Sequence, residues 1–451
     1  MVMPWRALAR RFPVLAIRDF RLLLADRLLA PAAVAFSLVG VSFAVLDLTG
    51  STADLSYVLA AQIAPSLVFT LISGVVADRV PPQRVVVAAN IMIAVAEGLL
   101  GILVLGGHVL LWHMIVLEAL TGVGMAVFYP ASQALLPKIV PDELLQQANA
   151  ISRLAMNGAQ MGGAAVAGVV VAAVGPGWAL TVCGVGLLGT IPLLLAIRVT
   201  GHAEGGGAGM LSDLRDGWSE FASHTWLWVI VVQYCVILMA WYGGFMVLGP
   251  AVAKAELGGA TAWGAIASAE ALGLIIGGLL SLRFAPKRPI LFVAIVGAVF
   301  AIPPLSLAMH WPLPAVFLAA VFFGLSMEVM AVQWSVALAR NVPADRLARV
   351  SAYDALGSVT AMPLGALLAG PIAEKIGPAP TQYGAGALIV LVSGFSLLSR
   401  QVRTMRAVGS SGLGAGVIPP PPVSSTSPAG AASAGPVAAE SAQGEPQADP
   451  A

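Results

Sequence analysis

Five acidic side chains stand singly inside long apolar stretches of the sequence. They are Asp26, Glu97, Glu118, Glu270 and Glu328. An ionised carboxylate surrounded by the hydrocarbon of a bilayer costs on the order of 3 kcal/mol even on lenient scales. A carboxyl in such a place therefore faces a cavity, pairs with a cation or holds a proton. These residues are the first candidates for binding a cationic ligand or for moving a proton.

Asp354 and Arg27 each allow two interpretations. Asp354 lies near the start of an apolar stretch, where we expect it to cap a helix or to pair with Arg349. Arg27 directly follows Asp26, and it either neutralises that carboxylate or contributes to a ligand site. Residue type and position alone do not separate these alternatives.

A short charged turn, "SGVVADRVPPQR" from Ser73 to Arg84, separates two apolar stretches. Gly74 allows two helices to approach closely, and Asp78 can accept a hydrogen bond from a helix N-terminus or pair with a basic residue elsewhere. Such a bond, formed in one state and broken in another, would act as a latch. The alternative is that Arg79 and Arg84 only anchor the turn at the membrane surface.

The composition indicates which elements position these residues. Of 451 residues, 59% are hydrophobic and only 10% are charged, and the mean hydropathy is +0.90. Soluble domains carry about 25% charged residues. With 10%, the charged side chains could not cover this much apolar surface in water. The apolar residues come in runs of about 20, the length that crosses a bilayer as a helix. We therefore predict an all-α polytopic membrane protein that has the lipid bilayer as its surroundings.

Twelve membrane spans can be drawn along the chain. They lie near Leu22–Leu48, Leu55–Ala77, Val85–Leu105, Val109–Leu135, Ile151–Val174, Trp178–Ile197, Trp226–Ala251, Thr261–Leu282, Pro289–Met309, Leu313–Leu338, Val350–Ile372 and Tyr383–Leu398. Lysine and arginine collect in alternate loops, whereas the opposite loops hold only Lys254 and Lys375. Because basic loops face the cytoplasm, we expect both termini to be cytoplasmic and the N-terminal basic segment to be retained.

An internal repeat divides the spans into six and six. The stretch that begins at Gly122 resembles the one that begins at Gly324, and the turn "GVVADRVPPQR" recurs as "GLLSLRFAPKR", with Leu282 in place of the aspartate. The predicted organisation is a cytoplasmic segment over residues 1–21, a six-helix half over 22–198, a cytoplasmic loop over 199–225, a second half over 226–400 and a disordered cytoplasmic tail over 401–451.

Twelve spans in two parallel halves, with cytoplasmic termini, resemble the major facilitator superfamily of secondary transporters. The family carries a Gly-x-x-x-Asp-Arg/Lys turn between spans two and three, which Gly74, Asp78, Arg79 and Arg84 match, while Pro81 replaces the usual second glycine. Stretches such as "LLPKIVPDELLQQANAISRL" resemble bacterial macrolide and siderophore exporters. The fourth span departs from the family because its frequent arginine, four residues before a glycine, is here Glu118.

The resemblance implies alternating-access transport of a small amphipathic molecule, as efflux and with protons as the coupling ion. Spans one, four, seven and ten line the central cavity in this fold, which places Asp26, Glu118 and Glu328 there. It places Glu270 at the interface of the halves and leaves Glu97 open between a functional and a packing role. Uptake is the alternative direction. The resemblance also implies a monomer in the bacterial plasma membrane.

Other functional classes have little support in the sequence. The motifs HExxH and GxSxG and a phosphate-cradling loop do not occur, so neither an enzyme nor a membrane receptor has a recognisable site. The five histidines show no metal-ligand spacing, and no cofactor motif was found. The net charge of +1 gives no indication of a nucleic-acid partner. Trp241, Tyr242 and Trp334 could stack on a planar ligand, although packing explains them more simply.

Overall fold

The structure is a computed structural model that describes residues 12–77, 80–198, 218–219 and 221–405. These residues form helices and turns and contain no strand, which confirms the all-helical prediction. Eleven of the described helices are long and apolar enough to cross a membrane. A twelfth, Pro378–Ser396, has 19 residues but falls short of that hydropathy, since Thr381, Gln382 and Tyr383 occupy its first turns.

The twelve long helices are numbered here in chain order. They are α1 Arg18–Leu48, α2 Thr52–Ala77, α3 Pro82–Leu105, α4 Leu111–Leu135, α5 Leu145–Val174, α6 Pro176–Leu195, α7 Thr225–Leu257, α8 Ala260–Ser281, α9 Pro289–Ala308, α10 Leu313–Asn341, α11 the consecutive segments Ala344–Val359 and Met362–Ile376, and α12 Pro378–Ser396. A short helix, α13, follows at Arg400–Thr404. The end of the bundle at which α1 begins and α12 ends is called the near end, and the opposite one the far end.

Several helices extend beyond the predicted apolar spans. Helix α1 begins four residues before Leu22, α5 begins six residues before Ile151, and α7 continues six residues past Ala251. Hydropathy marks the part of a helix that suits lipid, whereas the helix itself continues through polar turns as long as its backbone hydrogen bonds are made. The short helix α13 begins at Arg400, the predicted end of the second half, and residues 401–404 are helical where a disordered tail was predicted.

Helix α7 is not a regular α-helix throughout. It changes to π-helical geometry at Tyr242–Val247 and again at Ala253–Leu257, close to its far end. Single π turns insert an extra residue into a helix and occur frequently at functional sites. Tyr242, at the start of the first π segment, is the α7 residue that reaches the cavity described below.

The helix packing of the second half repeats that of the first with a shift of six helices. Helices α2 and α4 pack together as α8 and α10 do, α1 and α6 pack as α7 and α12 do, and α1 and α5 pack as α7 and α11 do. The repeated glycines Gly122 and Gly324 explain part of this match. A Cβ at Gly122 would overlap the carbonyl oxygen of Gln62, and one at Gly324 would overlap the carbonyl oxygen of Glu270. Each glycine therefore sets the distance between its two helices.

We expect Gly122→Ala to lower the thermal stability of the purified protein. The added methyl group meets backbone atoms of α2, which cannot rotate away, and such overpacking typically costs about 1–3 kcal/mol. Gly158→Ala in α5 is the matched control, because a Cβ there meets no atom within 4 Å. The control should be neutral or stabilising by about 0.5–1 kcal/mol. Equal melting temperatures for the two variants would contradict this role of Gly122.

The two sets of six helices meet mainly through α5 against α8 and through α2 against α11. At the far end, Lys254 Nζ contacts Asp47 Oδ1 at 2.5 Å. Glu374 Oε1 accepts hydrogen bonds from Ser51 Oγ at 2.5 Å and from the Ala53 amide at 3.2 Å, at the first turn of α2. These interactions, together with the packing of Gly370 on α2, are called the far-end contacts, and they join the two halves at this end of the bundle.

Candidate functional site

A cavity of about 270 Å³ lies between α1, α2, α3, α4 and α6 of the first half and reaches α7. Its lining is mostly apolar, with a few polar side chains. The polar and titratable ones are Ser37, Gln62, Ser66, Glu97, Thr121, Cys183 and Tyr242. They come from α1, α2, α3, α4, α6 and α7, so the packing of these helices brings their polar side chains together around the cavity. A largely apolar pocket with a few fixed polar groups is the usual form of a small-molecule site.

Glu97 of α3 lies on the cavity wall and is 1% exposed. Its Oε1 atom accepts hydrogen bonds from Ser37 Oγ of α1 at 2.8 Å and from Thr121 Oγ1 of α4 at 3.3 Å. The Oε2 atom is buried and has no partner among the described residues. Of the two roles that the sequence left open for Glu97, this geometry favours the functional one, because the carboxyl faces a cavity with one oxygen unused.

Glu118 of α4 is fully buried next to the same cavity. Its Oε2 atom accepts a hydrogen bond of 2.7 Å from Gln62 Nε2 of α2, while Oε1 is buried without a partner among the described residues. Gln62 is held in place because Gly122, one turn along α4, packs against its carbonyl oxygen. Glu97 accepts a hydrogen bond from Thr121, which lies three residues after Glu118 on the same side of α4, so the two carboxyls lie close together. The structure therefore brings these two acids together.

This pair of carboxyls can do proton chemistry or bind a cation. Two buried carboxylates that interact cannot both be ionised without a counter-charge. Glu97 and Glu118 have four oxygens, of which two are buried and unpartnered within the described residues. A proton on one carboxyl, or a cationic group placed between the two, would use those oxygens. No group of three or more His, Cys, Asp or Glu side chains that could hold a metal ion occurs in the described part of the chain.

Asp26 and Arg27 lie outside this cavity, closer to the near end of α1. Asp26 is 1% exposed, and its Oδ1 atom is buried without a partner among the described residues. Arg27 does not form an ion pair with it. The guanidinium instead donates to the carbonyl oxygen of Ser132 at 2.8 Å and to Met156 Sδ at 3.1 Å. Arg27 therefore links α1 to α4 and α5. Neither Asp26 nor Arg27 lines the cavity.

Glu328 and Glu270 occupy the boundary between the two halves. Glu328, halfway along α10, pairs with Arg153 of α5 at 2.8 Å, and Arg153 is 67% exposed. This ion pair joins the two halves on the near side of the cavity. Glu270 is half-buried in α8, where its backbone carbonyl packs against Gly324, and its side chain forms no hydrogen bond with another described residue. Neither glutamate lines the cavity, although the resemblance had placed Glu328 there.

Asp354 does not cap a helix, so that interpretation was wrong. Helix α11 begins after Pro343, and Asp354 lies three turns inside it. Its carboxylate accepts a hydrogen bond of 2.8 Å from Trp334 Nε1 of α10, because the two helices pack side by side at this level. Trp241 stacks on Phe323 and serves packing, whereas Tyr242 faces the cavity.

The residues of the charged turn are only partly described. Asp78 and Arg79 lie outside the described residues, so the latch stays a prediction. Gly74 lies in α2 near its near end, and Arg84 is exposed in the first turn of α3. In the second copy of the turn, Leu282 is 81% exposed.

Sequence reasoning overlooked Gln62 and did not find the position of the cavity. Gln62 is uncharged and lies in an apolar span, so only its contact with Glu118 reveals its role. An amide in a predicted membrane helix is itself costly to bury without partners. This signal was available and would have drawn attention to Gln62.

Three comparisons with known proteins agree with this architecture. Residues 28–366 match the sequence family described as the Major Facilitator Superfamily. The chain is 23% identical over 369 residues to the multidrug efflux pump Tap of Mycolicibacterium fortuitum, covering 79% of this chain and 89% of that protein. It is 22% identical to macrolide efflux protein A of Streptococcus pyogenes, covering 81% and 92%.

The fold is also that of solved transporters. The nucleoside transporter NupG superposes with a TM-score of 0.66 at 10% identity, covering 84% of this chain and 99% of that structure. The xylose transporter XylE of E. coli, in an inward-open conformation, gives 0.64 at 12% identity, covering 88% and 98%. Because the family match extends over most of the chain and the helices have the arrangement of these transporters, the chain belongs to the Major Facilitator Superfamily and is a multi-pass membrane transporter.

Proposed function

We propose that this transporter exports a small amphipathic molecule and that Glu97 and Glu118 exchange a proton for it. The observation that carries the proposal is a cavity with Glu97 on its wall and Glu118 buried behind Gln62, each carboxyl having one unpartnered oxygen within the described residues. Its mostly apolar wall suits the apolar part of such a molecule, and the carboxyls suit a cationic group. The relatives named as efflux pumps support export as the direction.

Exchange follows from the cost of burying charge. With the cavity empty, a proton on the carboxyl pair removes one buried negative charge. When a cationic substrate enters, it can pair with the carboxylate and release that proton, and when the substrate leaves on the other side a proton returns. The same two residues would thereby couple substrate to protons. Glu118 is the principal candidate because it is fully buried and has a single hydrogen-bond partner.

Alternating access requires that the two ends of the bundle open in turn. In this proposal the far-end contacts break when the cavity opens towards that side, whereas the Arg153–Glu328 ion pair and the predicted latch at Asp78 act at the near end. Glu328 would then act as a contact between the halves. With both termini cytoplasmic, as the basic loops predict, the far end faces the exterior. One chain contains the cavity and the contacts at both ends, so the proposed functional unit is a monomer.

Transport into inverted membrane vesicles tests the proposal. Vesicles that contain the protein should accumulate amphipathic cations from a compound panel when a proton gradient, acidic inside, is imposed. A protonophore should abolish accumulation, and vesicles without the protein give the background. Accumulation only in right-side-out vesicles would favour uptake, the alternative direction. Accumulation that is the same with and without the proton gradient would contradict proton exchange, although the protein would still be shown to transport the compound.

A further inference from the structure

A groove of about 560 Å³ runs between the first turns of α7 and the last turns of α12, at the near end and away from the cavity. Its walls include three large apolar side chains that are well exposed. Trp228 is 41% exposed, Val232 53% and Phe395 67%. Side chains of this kind on the outer surface of a membrane protein contact lipid chains, and a groove between them can hold one chain in a defined place.

The mouth of the groove is positively charged. Arg400 is the one charged residue in its lining, it is exposed, and it has no ion-pair partner among the described residues. Arg403 follows Arg400 by three residues in α13, and Arg288 donates a hydrogen bond of 3.5 Å to the backbone carbonyl oxygen of Arg403. This end of the groove therefore suits an anionic group.

The mouth and the floor are both held by hydrogen bonds, so the groove does not result from loose packing. At the mouth, Gln401 Oε1 accepts a hydrogen bond of 3.1 Å from the amide of Trp226, which fixes α13, and with it Arg400, against the start of α7. At the floor, the fully buried Gln233 donates to the carbonyl oxygen of Ala294 at 2.8 Å and to Ser393 Oγ at 3.3 Å. A preformed groove binds a ligand at lower entropic cost.

We propose that this groove binds one phospholipid with an anionic headgroup. The phosphate contacts Arg400 at the mouth, and one acyl chain lies along Trp228, Val232 and Phe395. Bulk lipid would occupy the apolar walls regardless of headgroup, but only an anionic headgroup complements Arg400, which has no carboxylate beside it in the groove lining. The bound lipid joins α7, which reaches the cavity through Tyr242, to α12. This site is independent of the proposed export.

Native mass spectrometry of the full-length protein in detergent tests the site, with phosphatidylglycerol and phosphatidylcholine of the same acyl chains as probes. One phosphatidylglycerol should be retained per chain, in preference to phosphatidylcholine. Arg400→Gln should weaken that retention about tenfold, the usual effect of removing one charge-assisted hydrogen bond. Arg340→Gln is the matched control, because it removes an exposed near-end arginine in the last turn of α10, outside the groove.

A second variant separates the groove from simple surface charge. Val232→Trp fills the groove and keeps Arg400, so it should also reduce lipid retention while the protein remains folded. Equal retention of the two lipids would mean binding by the acyl chain alone and would overturn the proposal. If Arg400→Gln and Arg340→Gln lost phosphatidylglycerol retention equally, general surface charge would explain the binding, and the groove proposal would be overturned. If the full-length chain retained no lipid, the groove would not be a lipid site.

Discussion

Glu118→Gln is expected to abolish gradient-driven transport, down to the level of vesicles that lack the protein, while substrate binding persists. The amide has nearly the shape of the carboxyl and can still accept the hydrogen bond from Gln62, so the contact between α4 and α2 survives. At residue 118 the variant can no longer release a proton or pair with a cation, whereas Glu97 and the apolar wall of the cavity still bind the substrate. The measurement is accumulation in inverted vesicles with and without the gradient, alongside substrate binding to the purified variant.

Glu97→Gln should also suppress gradient-driven transport, and the double variant should lose no more than Glu118→Gln alone. Two residues that share one proton act as a unit, so their effects are not additive. Glu143→Gln is the matched control, because that glutamate is exposed in the short helix Asp142–Leu144 between α4 and α5. If Glu97→Gln, Glu118→Gln and the double variant all kept full proton-coupled transport, neither glutamate would be the coupling group. Asp26 and Glu270 would then be the next candidates.

Gly370→Val is expected to hold the far end open and to stop transport in a protein that still folds. Gly370 of α11 packs directly on the first turns of α2, where a Cβ would overlap the carbonyl oxygen of Thr52 and contact Ser56 Oγ. The Gly370 amide also donates a hydrogen bond of 2.7 Å to Ser56 Oγ. Overpacking of about 1–3 kcal/mol is comparable to the few kcal/mol that separate two conformations of a protein. The equilibrium should therefore shift towards the state in which these helices separate.

A cysteine reporter measures this shift. Ala373→Cys replaces a small side chain that is 4% exposed near the far end of α11. A membrane-impermeant maleimide should label it faster when Gly370→Val is also present, and the protein without the reporter gives the background from Cys183 and Cys235. Gly384→Val in α12 is the control, because a Cβ at that glycine meets no atom within 4 Å. Unchanged labelling with normal transport would mean that Gly370 does not set far-end closure.

Close helix packing, more than charge, should decide whether the far end is closed. The side chains of the Lys254–Asp47 ion pair are 39% and 51% exposed. Exposed ion pairs contribute about 0–1 kcal/mol because water and salt screen them. Overlap with a backbone atom is not screened in this way, which is why the glycine substitution is expected to have the larger effect.

The class of this protein, the number of its spans and its internal repeat could be predicted from the sequence because each depends on local properties of the chain. A run of about 20 apolar residues is sufficient to indicate a membrane helix. Gly122 and Gly324 were recognisable as repeated positions before their contacts with Gln62 and Glu270 were known. The helix ends were less predictable, since α5 and α7 continue through residues that hydropathy does not distinguish from loops.

Only the tertiary structure decided which acids meet. A membrane helix enclosed by other helices is apolar on all sides, so its sequence pattern does not reveal which face turns inwards. The rotation of each helix about its axis is set by close contacts such as Gly122 on Gln62, and that rotation brings Glu118 beside Glu97. In the same way it gives Glu328 a partner in Arg153, from the other half of the chain. The sequence by itself determined that costly charges lie in the membrane, whereas helix packing determined their partners, because only packing fixes the distances between side chains of different helices.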